Sequence, residues 1–113
     1  MNGCYMTCRV RELPKMSETG TNSKCTMVVE CDRPFRAMDG SIPSDIFFVD
    51  VWRGIADELM AACQVGSTIV IQGRMESTIK QIEGQTFYDT RIIAENVDYP
   101  ERRRQIDRSK EAL

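Results

Sequence analysis

A chain of 113 residues has room for one domain with a single modest core, and its 42% apolar and 28% charged content is that of an ordinary globular protein. Without a histidine there is no imidazole for acid–base chemistry and no usual zinc set for the five cysteines to join, so an enzyme, a metal site, a cofactor and a small-molecule substrate are all unexpected. The formal net charge of −2 excludes generic attraction to polyanions: five basic and three acidic side chains leave +2 on residues 99–113, and therefore −4 on residues 1–98.

No run approaches the roughly 20 apolar residues that a membrane span needs, and Met1-Asn2-Gly3-Cys4-Tyr5 has no basic segment followed by an apolar one. The cytoplasm, in association with the nucleoid, is the expected location, and the cysteines are expected to be thiols. None of them forms a C-x-x-C pair.

Tyr5 to Val10 alternates, with Met6, Cys8 and Val10 on one side, which predicts a first strand closed by Pro14. Met16 to Ser23 is small and polar, the composition of a turn or loop. Lys24 to Asp32 alternates again, Cys25, Met27, Val29 and Cys31 against a polar side on which Val28 is the apolar exception. Arg33 to Asp45 holds two prolines and Asp39-Gly40, a long loop of the kind that carries function.

Ile46 to Trp52 predicts a third strand, with Phe47, Val49 and Val51 on the core face and Ile46, Phe48, Asp50 and Trp52 on the other. From Arg53 to Cys63 the period lengthens: Ile55 and Leu59, with Ala56, Ala62 and Cys63, make the apolar stripe of a helix that Val65-Gly66-Ser67 stops. Thr68 to Met75 is β-branched and apolar as far as Gly73, where a bulge, bend or close backbone approach is expected. Glu76 to Ile82 extends this strand, Glu83-Gly84-Gln85 makes a hairpin tip, and Thr86 to Glu95 returns as a fifth strand. In that last strand Tyr88, Thr90, Ile92 and Ala94 face one way, and Phe87, Asp89, Arg91 and Ile93 the other.

Five short strands bury their edges best by closing. The expected architecture is all-β: a five-stranded Greek-key barrel of the oligonucleotide/oligosaccharide-binding (OB) fold over residues 1–98, with one helix between the third and fourth strands. Residues 99–113 are expected to form a charged tail.

Three segments, in this order and spacing, carry a resemblance: Val51-Trp52-Arg53-Gly54-Ile55-Ala56-Asp57-Glu58, then Gly66 to Met75 with its Gly-Ser, apolar run and Gly-Arg, then Gly84 to Ala94. The chain resembles the bacterial single-stranded DNA-binding protein family from residue 5 to about 98. The likeness implies sequence-independent binding of single-stranded DNA in replication, recombination or repair, and assembly into a homodimer or homotetramer. The departures are as informative. After the first strand only Pro14 and an apolar residue of the family's pattern are kept, Ile46 and Ile79 or Lys80 stand where two stacking aromatics are usual, and partner recruitment through the family's glycine-rich linker and acidic tip is not expected.

Binding unpaired strands without reading sequence takes flat rings for bases and cations for phosphates. The candidate rings are Trp52 beside Arg53, Phe35 between Arg33 and Arg36, and Tyr88 on the last strand. Each has a structural alternative: a rim or subunit-interface tryptophan, a loop anchor and a strand-packing tyrosine. The candidate phosphate contacts are Arg33, Arg36, Arg53, Arg74, Lys80 and Arg91, followed by Lys24, Arg9 and Arg11. Arg33, Arg36, Arg74, Lys80 and Arg91 are expected to line one groove, weakened by Asp50, Glu76 and Asp89. Asp57 and Glu58 are adjacent on the helix and point apart, so they are not a paired-carboxylate site. With two stacking positions lost, affinity is expected to be weak or dependent on oligomerisation. Two other readings stand beside this one: a primosome-type or mobile-element accessory OB module acting mainly through protein contacts, and a structural domain whose basic tail meets an acidic partner.

Overall fold

The computed structural model describes residues 1–16 and 24–101. Five strands, β1 (Cys4–Met16), β2 (Lys24–Asp32), β3 (Ser44–Trp52), β4 (Thr68–Ile82) and β5 (Gln85–Asp98), close into a barrel in the order β1-β2-β3-β5-β4. A helix, α1 (Arg53–Ala62), joins β3 to β4. β4 returns to pair with β1, and β3 runs parallel to β5, so the sheet has no open edge within the barrel. This is the expected OB architecture.

The alternations become the two sides of the barrel wall. Cys25, Met27 and Val29 of β2 are at most 3% exposed and face Val49 and Val51 of β3 inside the barrel. Ile69 and Ile71 of β4 with Ile92 and Ala94 of β5 complete that interior. α1 adds Ala56 and Leu59 to the same core, so its apolar stripe seals the end of the barrel at which β3 finishes. No helix among the described residues is long and apolar enough to cross a membrane.

Gly73 is both a bulge and a close approach. Gln72 pairs with Asn96 but Gly73 with Ala94, leaving Glu95 as the extra residue, and a Cβ at Gly73 would lie 2.0 Å from the Ile93 carbonyl oxygen. At the hairpin tip Glu83 (φ 51°) and Gly84 (φ 78°) are both left-handed, the two-residue turn whose twist suits a tight hairpin. From Glu76 to Arg91 the ribbon leaves the barrel as an arm, exposed along nearly its whole length.

Three expectations are corrected. Pro14 does not end the first strand: β1 runs on to Met16 because Pro14 falls where Glu12 pairs with Val28 and Lys15 with Thr26, a bulge in which the missing N–H costs no ladder bond. Phe47 has the core-face parity but is 36% exposed, because it sits at the barrel end away from α1, where the interior opens into a cleft of about 370 Å³ with Met75 and Ile92. On the outward side of the wall, Val28 and Asp50 are buried where solvent was expected, and Ile93 is buried with them. Next to β5, Tyr99 is 8% exposed in the core, and the Glu101 carboxylate accepts the Thr68 N–H at 3.2 Å. The rest of the expected tail, and the loop expected at 17–23, lie outside the described residues.

Candidate nucleic-acid interface

The outward face of β3 carries the first of the candidate rings. Ile46, Phe48, Asp50 and Trp52 point away from the core, opposite Glu30, Val28, Thr26 and Lys24 of β2. Trp52 ends β3 and precedes the first residue of α1; it is 50% exposed, neither a core residue nor a sealed rim residue within this chain. Arg53 beside it is exposed and has no ion-pair partner among the described residues.

Phe35 lies at the opposite end of β3, in loop 33–43, and is 57% exposed. Arg33, Pro34, Arg36 and Ile42 surround it in a hollow of about 270 Å³. The loop is held by its own hydrogen bonds, Arg33 N–H to the Pro43 carbonyl at 2.8 Å and Ala37 N–H to the Ser41 carbonyl at 2.7 Å, so Phe35 is presented on an ordered frame. Tyr88 stands on the arm, 74% exposed, opposite Ile79 on the side that continues the barrel interior. Because Val49 is level with Ile92 in a parallel pair, the arm leaves the barrel at the end where β3 begins, the end that also holds the Phe35 loop. The three rings therefore occupy three places, with β3 running from the Phe35 end to Trp52 over roughly 26 Å.

Arg74, Lys80 and Arg91 share the outward face of the β4–β5 ribbon, while Arg33 and Arg36 sit apart in the loop. They do not make one groove of unopposed cations. Arg33 grips Asp45 with two bonds of 2.7 and 3.0 Å, Arg74 grips Glu76, and Lys80 lies 3.8 Å from Asp89. Arg36 spends one N–H on the Gly40 carbonyl at 3.0 Å but keeps its charge. Of the lesser candidates, Arg9 is held by Asp32 at 2.8 and 2.9 Å.

Arg91 differs from the other paired cations, because its partner Asp50 is only 1% exposed. Asp50 accepts from Arg91 Nε at 2.6 Å and Nη2 at 2.7 Å, from Thr26 Oγ1 at 3.0 Å, and lies 3.2 Å from Lys24 Nζ. Burial alone would raise this carboxyl, but the hydrogen bonds from Arg91, Thr26 and Lys24 outweigh it and hold the group below its ordinary value. A carboxyl lowered in the folded state adds stability above its unfolded value and loses it as pH falls through the folded one. Urea midpoints compared at about pH 6 and about pH 3, either side of the ordinary carboxyl value near 4, are thus expected to drop in the native chain and to drop less in Asp50→Asn.

The exposed rings Tyr5, Phe48 and Phe87 escaped the sequence reading, and Phe48 among them lies beside a candidate ring. Phe48 is 69% exposed on the same outward stripe as Trp52, four residues before it. The signal was present, since the alternation already put both on the non-core face, but phenylalanine in a strand is more often packed.

Residues 1–100 fit the model of the single-strand binding protein family. The chain belongs to that family. Single-stranded DNA-binding protein 2 of Streptococcus agalactiae serotype V is 30% identical over 105 residues, spanning 92% of this chain and 80% of that protein. The small single-stranded DNA-binding protein of Streptomyces coelicolor shares the fold with a TM-score of 0.65 at 18% identity, over 88% of this chain and 95% of that one. The Plasmodium falciparum SSB, solved in complex with ssDNA, also has a TM-score of 0.65 at 18% identity, over 87% and 91% of the two chains. This chain has the closed barrel and a half-exposed Trp52, and it offsets Arg33, Arg74, Lys80 and Arg91 with carboxylates of its own.

Proposed function

We propose that this chain binds single-stranded DNA without reading its sequence, stacking bases on Trp52, Phe35 and Tyr88 and meeting phosphates with Arg33, Arg36, Arg53, Arg74, Lys80 and Arg91, and that it does so as a homodimer or homotetramer. Its task is binding rather than chemistry, carried out in the cytoplasm on DNA exposed in replication, recombination or repair. The supporting observation is that Trp52 and Phe35 both stand open to solvent, at 50% and 57% exposure, on a chain of this family. Arg36 and Arg53, the two of these cations without a carboxylate partner among the described residues, flank those two rings.

A fluorescence-anisotropy titration with labelled oligo-dT at low and moderate salt tests the reading. Binding that weakens as salt rises is expected, because phosphate contacts release counterions. Trp52→Ala and Phe35→Ala are each expected to weaken it by about 5- to 150-fold, the equivalent of about 1–3 kcal/mol for a lost stack. No binding at low salt overturns the proposal. That outcome favours the accessory-module reading, to which the carboxylate pairing of Arg33, Arg74, Lys80 and Arg91 also leans.

A further inference from the structure

We propose that Phe48 and Arg91 form a nucleotide subsite, the ring taking a base and the guanidinium an adjacent phosphate, with Asp50 as the positioning residue that fixes Arg91. The inference rests on the single-strand-binding reading, which already contains the Arg91 phosphate contact, and adds to it the Phe48 ring and the part played by Asp50. Its first support is geometric: Phe48, Arg91, Thr26, Asp89 and Thr90 line an open hollow of about 340 Å³ on the outer wall. A ring that is 69% exposed gains little from its own fold. Its neighbours nonetheless give it a firm seat, since Phe48 pairs across β2 with Val28, which is 8% exposed.

The charge around Arg91 points the same way. Asp45, Glu76 and Asp89 each meet one cation of a pair, but Asp50 stands between Arg91 and Lys24, so this cluster keeps a net charge of +1. Nε and Nη2 of Arg91 each give one N–H to Asp50, which leaves three of the five guanidinium N–H donors for another anion. The Arg91 side chain is 45% exposed while its carboxylate partner is 2% exposed, so the guanidinium is anchored from beneath and open above. An anchored fork loses less freedom on binding than a free one. Asp89 on the hollow's rim opposes a phosphate, and Lys80 at 3.8 Å offsets it. Phe48 and Trp52 are four residues apart on one strand face, roughly 13 Å, so the two rings serve separate bases of one strand.

The direct test uses tryptophan fluorescence. In a Trp52→Phe background, Phe48→Trp places the sole indole of the chain on the hollow, and saturating oligo-dT is expected to quench it, as stacking on a base does. Phe48→Ala is expected to weaken oligo-dT binding by about 5- to 150-fold without changing the oligomeric state in sedimentation. Arg91→Gln is expected to flatten the dependence of log K on log salt by about 0.7, the value of one single-strand phosphate. An indole that stays unquenched in the Phe48→Trp variant, together with native affinity in Phe48→Ala, overturns the subsite while leaving the family-type reading intact. Failure of the native chain itself to bind oligo-dT instead removes the parent reading. A change in sedimentation with unchanged affinity per protomer assigns Phe48 to a contact between copies and also overturns the subsite.

Discussion

Gly73→Ala is expected to cost this protein about 3 kcal/mol or more, at or beyond the upper end of ordinary overpacking. The reason lies in the ladder. The new methyl would stand 2.0 Å from the Ile93 carbonyl oxygen, 3.0 Å from its carbon and 3.2 Å from the Ala94 Cα, all of them backbone atoms that no rotamer change can move aside. β5 would have to retreat from β4 beside its bulge, in the stretch where Ile92 and Ala94 enter the core. Urea denaturation followed by circular dichroism measures the loss, and Gly54→Ala is the control. Gly54 lies in α1 with nothing within 4 Å of its Cβ position, so that change is expected to be neutral or to stabilise by about 0.5–1 kcal/mol. A Gly73→Ala midpoint equal to the native one would show that the wall is not closed at this point.

Leu59→Ala is expected to destabilise by about 2–5 kcal/mol, the range for a buried leucine whose surroundings collapse only in part. Leu59 is fully buried, and with Ala56 it is the buried side of α1, so its removal leaves a cavity at the barrel end that α1 seals. The next residue gives the contrast: Met60 is 54% exposed, and Met60→Ala is expected to change stability by no more than about 0.5 kcal/mol. Because α1 starts at the residue after Trp52, Leu59→Ala is also expected to weaken oligo-dT binding, though by less than Trp52→Ala. Thermal melts and anisotropy on the three variants separate the effects. A Leu59→Ala melt matching that of Met60→Ala would mean that α1 does not seal the core.

Whatever depends on period and on single-residue stereochemistry was legible along the chain. Cys25, Met27 and Val29 against Lys24, Thr26 and Glu30 set the two sides of β2 and both its ends, and the Ile55–Leu59 spacing set the helix. Gly73 stood out because a residue without a side chain interrupts a β-branched run, and such an interruption is where backbones meet. The outward parity of Trp52 was equally readable, since side chains in a strand alternate whatever the neighbours are.

Only the tertiary structure decided which charges cancel and which apolar groups outside the core are covered. Asp50 and Arg91 are 41 residues apart and meet because β3 and β5 pair in parallel with Val49 level with Ile92, a register that no local pattern encodes. The same adjacency buries Asp50 and Ile93 on the outer wall, while Phe47, with the right parity for the core, is left half open where the barrel ends. Pro14 persists in β1 because a bulge absorbs it. Periodicity is a property of one strand, whereas burial, ion pairing and bulges belong to two strands at once, and they take their values only when the barrel closes.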